Sequence, residues 1–115
     1  MTRTLTLKSN WPGGAGSREF KESPIYQGED EIMAYTFDTT PSGSTTPASP
    51  STVIKNAAGT DVSGTNLTGS DSVSAPNITT ADVTSLTAGA KYRLEVSWTE
   101  SGETYEAFGY IFGQE

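Results

Sequence analysis

The clearest hydrophobic pattern lies in the last quarter of the chain. From Lys91 to Thr99 apolar and polar residues alternate without a break: Tyr92, Leu94, Val96 and Trp98 on one parity, Lys91, Arg93, Glu95 and Ser97 on the other. A period of two predicts a strand with one face in a core and one face toward water. Glu100-Ser101-Gly102-Glu103 predicts a tight turn, with Gly102 supplying a backbone conformation other residues avoid. Thr104 to Phe112 predicts the returning strand, apolar on both parities. Residues 31–38 (EIMAYTFD) also carry apolar residues on both parities, as expected for a strand covered on one face and partly on the other. Between Val53 and Leu86 short apolar runs recur with turn signals between them, and no helical spacing extends over ten residues. The expected fold class is all-β, a two-layer antiparallel sandwich over residues 25–115.

Two segments break the pattern. Residues 39–52 (TTPSGSTTPASPST) hold Ser, Thr, Pro and Gly with no charge, and read as an exposed loop. Residues 1–8 alternate as one short strand, and residues 9–24 hold a Trp-Pro-Gly-Gly cluster with little periodicity. The expectation is a separate N-terminal unit, 1–24, made of that strand and an extended arm. Trp11 and Phe20 are its candidate anchors, either on its own domain or on a partner, where aromatic anchors are favoured.

Leu86-Thr87-Ala88-Gly89-Ala90-Lys91-Tyr92-Arg93-Leu94-Glu95-Val96 resembles the segment of fibronectin type III and related immunoglobulin-like domains that reads Leu, any residue, Pro, Gly, Thr, any residue, Tyr, then alternating apolar residues. The resemblance implies a structural corner: Leu86 as buried anchor, Gly89 as turn, and Tyr92 with its hydroxyl bonded to backbone upstream. Ala88 stands where that family often has Pro. On a wider scale, the GED turn and strand, the TFD strand end and ADVTSLTAGAKYRLEVSWTESGETYEAFGYIF resemble small immunoglobulin-like structural proteins of tailed bacteriophage virions, over roughly residues 27–112. That resemblance implies a virion component, assembled in the host cytoplasm, that decorates or cements a capsid or completes a neck. Its implied partners are the major capsid protein, other virion proteins or its own copies as a homo-oligomer.

Composition narrows the chemistry. With no Cys and no His among 115 residues, thiolate sites, disulfides and imidazole chemistry are excluded. No cofactor is expected, and the expected class is a non-enzymatic binding protein. Glu29-Asp30-Glu31 offers oxygen atoms to calcium but lacks EF-hand spacing, and reads as a solvated edge. Glu100, Glu103 and Glu106 supply carboxylates, but nothing in the sequence sets the separation a glycosidase needs. The net charge of −7 divides into +2 over residues 1–24 and −9 over residues 25–115, where Lys55, Lys91 and Arg93 face twelve acids. So acidic a body repels phosphate, so no nucleic-acid partner is expected. No apolar run of membrane-spanning length occurs, and no membrane partner is expected. The basic N-terminal unit is either a loose solvated leader or an arm lying on an acidic neighbour. Phe108, Tyr110 and Phe112 exceed what one core face requires. They are either buried beneath a second cover or form an interface, with Trp11 and Phe20 as further candidates. A carbohydrate- or receptor-binding adhesin module is the alternative role.

Overall fold

The computed structural model describes residues 2–8 and 18–115, so Trp11 and the rest of residues 9–17 lie outside the described part. Among the described residues eleven strands run in chain order: β1 (Thr2–Leu5), β2 (Arg18–Glu19), β3 (Ile25–Gly28), β4 (Ala34–Asp38), β5 (Ala48–Asn56), β6 (Leu67–Thr68), β7 (Ser72–Ser74), β8 (Asn77–Thr79), β9 (Asp82–Val83), β10 (Lys91–Glu100) and β11 (Glu103–Gln114). One α-helical turn (Ser63–Asn66) and one 3-10 turn (Thr40–Ser42) are the only helices among the described residues. The protein is all-β.

One sheet has the order β1-β4-β8-β7; the larger has β5, β10 and β11 side by side, with β2 and β3 both along the far edge of β11. The inner faces of the two sheets share one core. Tyr35, Phe37 and Ile78 from the first meet Ile54, Leu94, Val96, Trp98 and Ile111 from the second, and the Phe37 and Trp98 rings lie 5.4 Å apart. The β10–β11 hairpin turns through Ser101 (φ 52) and Gly102 (φ 81), both left-handed, as a two-residue turn that follows the strand twist requires.

Three expectations are corrected. The sheets are not purely antiparallel: β1 lies parallel to β4, and β2 and β3 lie parallel to β11. Long stretches of chain separate each of these strands from its parallel partner, so no short turn forces the antiparallel geometry of a hairpin. The N-terminal 24 residues are also not an arm in their described parts. Leu5, Leu7 and Phe20 are core residues, Leu7 bridges Phe20, and Phe20 stacks edge-on against Phe37 at 5.0 Å. Phe20 is 1% exposed and is therefore not an interface residue. Finally, residues 39–52 are not a free loop. Thr39 and Ser44 are fully buried, and Ala48 onward forms β5. The Trp98 indole donates to Ser44 Oγ (3.2 Å), and Ser44 Oγ donates to Glu100 (2.7 Å), which ties the segment to the hairpin.

The outer edge of β5 is closed by other parts of the chain. Pro50 has no N–H; Thr52 N–H donates to Asp71 (3.1 Å), Ile54 N–H to Ser63 Oγ (3.0 Å) and Asn56 N–H to the Thr60 carbonyl (2.9 Å). A buried polar knot braces β3 against β4. The Tyr35 hydroxyl donates to Gln27 Oε1 (2.7 Å), and Gln27 Nε2 donates to the carbonyls of Val83 (2.9 Å) and Glu31 (3.1 Å). Burial pushes the Tyr35 phenol up to about 12.

Ahead of β10, Leu86 is buried, Gly89 takes φ 82, and the Tyr92 hydroxyl accepts the Thr87 N–H at 2.9 Å. Tyr92→Phe is expected to cost about 1–2 kcal/mol in chemical denaturation, because the Thr87 donor loses its partner. Leu7→Ala is expected to cost about 2–5 kcal/mol by opening a core cavity. Ile32→Ala, at a side chain 55% exposed, should stay within about 0.5 kcal/mol of the parent.

Candidate functional site

The β11 strand is built inside out. Its core-facing residues are Ala107, Gly109, Ile111 and Gly113, whereas Phe108, Tyr110 and Phe112 point the other way and are half-buried. Close neighbours explain the small inner residues. A Cβ on Gly109 would sit 3.1 Å from the Phe20 ring, and a Cβ on Gly113 would collide with the Thr87 carbonyl oxygen. Bulk excluded from the inner side is thus displayed on the outer side.

Register assembles these residues into rows. Tyr26 of β3, Phe112 of β11 and Lys91 of β10 form the first row; Tyr110, Arg93 and Lys55 the second; Phe108, Glu95 and Val53 the third. Within this array Tyr26 stacks on Phe112 (centroids 5.8 Å, planes 22° apart), and Phe108 meets Tyr110 edge to face at 5.9 Å. The Arg93 guanidinium lies 3.9 Å from the Phe108 centroid, and Lys91 Nζ lies 4.3 Å from that of Tyr110. Among the described residues Tyr26, 56% exposed, is with Ile32 and Val73 elsewhere one of three large apolar side chains that remain exposed.

At the centre, Glu95 accepts from Arg93 Nε (2.7 Å) and pairs with Lys55 Nζ (3.2 Å); Arg93 Nη1 also donates to the Tyr110 hydroxyl (3.2 Å). Partial burial pushes the Glu95 carboxyl up, but the hydrogen bond from Arg93 and the nearby Lys55 outweigh it and hold the group below the usual carboxylate range. A shallow pocket of about 270 Å³ opens beside this network, lined by Lys55, Lys91, Arg93, Tyr110 and the turn at 56–59. All three cations of residues 25–115 meet there.

Of the residues singled out in the sequence, Phe108, Tyr110 and Phe112 come together on this face, whereas Leu86, Gly89 and Tyr92 form the bracing bend at its end. Tyr26, Lys55, Lys91 and Arg93 were missed. Their signal was the scarcity of cations after residue 24 together with the parity of Lys91 and Arg93 opposite the core set. Glu29 and Asp30 remain exposed, and Glu31 turns back to accept the Gly28 N–H at 2.7 Å. Among the described residues no group of three or more acids is gathered closely enough to hold a metal ion. No family model, curated protein or solved structure matches the chain.

Because the folded-state pKa of Glu95 is depressed, its network contributes stability above the unfolded-state value and loses it as pH falls through the folded one. Glu95→Gln is therefore expected to lower stability at pH 7 by roughly 1 kcal/mol or less. Denaturation curves of parent and variant should converge below about pH 4.

Proposed function

We propose that the chain is a non-enzymatic structural protein of a tailed phage virion, an immunoglobulin-like decoration, cement or neck component. It docks on the major capsid protein, another virion protein or its own copies through the outer face of the larger sheet. The observation that carries the docking reading is the inversion of β11, which buries glycine and alanine and displays Phe108, Tyr110 and Phe112 beside Tyr26. Aromatic and Arg side chains in one patch are the residue types that dominate protein–protein binding energy. The virion assignment draws its support from the resemblance over residues 27–112. A sugar-binding adhesin is the second reading, favoured by the exposed Tyr26 ring on the same sheet face as the polar pocket, in the row of Lys91.

Quantitative peptide mass spectrometry of purified particles should find this chain at a fixed copy number. Its absence from particles would overturn the virion reading, and a saturable hit on a glycan array would favour the adhesin. Tyr26→Ser should leave the melting curve within about 0.5 kcal/mol of the parent and reduce particle occupancy roughly ten-fold or more.

A further inference from the structure

Resting on that docking reading, we propose that the pocket lined by Lys55, Lys91, Arg93 and Tyr110 seats a carboxylate from an acidic, partly apolar segment of the partner protein. The charge distribution points there. Residues 25–115 carry twelve acids and three cations, and all three cations line this one pocket. Two of them, Lys55 and Arg93, already share the Glu95 carboxylate, which shows the geometry a carboxylate adopts between them. Lys91 is exposed, and among the described residues no acid lies within ion-pair distance of it; its ammonium group rests on the Tyr110 ring. An incoming carboxylate meets one unpaired cation and two that are half-satisfied.

The neighbourhood selects the kind of anion. In its own row Lys91 is followed by Phe112 at about one strand spacing (~4.8 Å) and by Tyr26 at about two. The occupant therefore needs an acid and an apolar group within several ångströms of each other, as adjacent side chains of a polypeptide provide. A long polyanion does not fit: Glu95 stands in the network itself, Asp61 lies opposite Lys55 across a backbone β-bridge, and Glu29 and Asp30 follow β3. Like charges at those positions act within roughly 8–10 Å at physiological salt; a single carboxylate meets chiefly Glu95, with which it shares Lys55 and Arg93, whereas a chain of phosphates meets all of them.

The test is an NMR titration of the full-length protein with a blocked peptide of alternating glutamate and leucine, its glutamine–leucine counterpart, and a galacturonate oligomer. Saturable shifts at Lys91, Arg93 and Tyr110 are expected with the glutamate peptide alone, weakening as salt is raised. Lys91→Gln, at an exposed position, should weaken binding roughly three-fold. Glu95→Gln should tighten it by a similar factor, because it releases Arg93 and Lys55 from their internal acid. The last sign separates a binding role from a structural one, since loss of a merely structural ion pair would not improve affinity. An equal response to the glutamine peptide, a response to galacturonate instead, concentration-dependent self-association at this face, or weaker binding by Glu95→Gln overturns the proposal. A silent pocket in a protein that is nonetheless found in particles removes only this seat. Absence from particles removes the virion reading whatever the peptide does.

Discussion

The pairing register of β10 with β11 is the constraint on which the rest of the molecule depends. The turn at Ser101 and Gly102 sets Glu100 opposite Glu103, and every later pair follows, to Lys91 opposite Phe112. A slip of one residue would exchange the two faces of a strand. Tyr92, Leu94, Val96 and Trp98 would leave the core, and Arg93 and Glu95 would enter it without water. The same register places Arg93 beside Tyr110 and Lys91 beside Phe112, so one turn determines both the buried interior and the outer array.

The two sides of the larger sheet are coupled through β11. Its inner side must stay small at Gly109 and Gly113, on either side of the buried Ile111, because the N-terminal segment and the Leu86–Thr87 bend press close there. Apolar bulk that would otherwise stabilise the interior is carried outside, where cations and ring faces partly shield it. A face assembled in this way is neither a solvated sheet surface nor a second core. It holds apolar area in a fixed arrangement and leaves water in contact with part of it, the condition under which covering it by another molecule releases free energy.

How far the sequence alone reached depended on period. The Lys91–Thr99 strand carries an uninterrupted alternation, its hairpin partner and the 31–38 strand carry dense apolar runs between turn signals, and all three were legible. The Ser/Thr/Pro segment was not, because residues 48–52 of β5 owe their place to Asp71 and β10, the strand's buried apolar side chain being Ile54 beyond them. Nor were β2 and β3: strands of two and four residues have too few positions to show a period, and their partner is at the other end of the chain. Phe20 looked like an anchor for something else because the residues around it are polar, yet its cavity is supplied by Phe37 and Gly109 from distant segments. On the functional side, surplus aromatics were visible in the sequence, but their grouping with Lys55 and Tyr26 was not, since cross-strand neighbours are set by pairing.

The sealed flank of β5 bears on how these molecules behave when crowded. Sheets with open margins recruit one another by continuing the amide ladder from molecule to molecule, which is the route to fibres. Here a proline, a carboxylate, a hydroxyl and a tight bend occupy each successive position at that margin. Neighbouring copies can gather densely and meet through side chains while the amide donors on this border, already taken within the chain, offer them no ladder to extend.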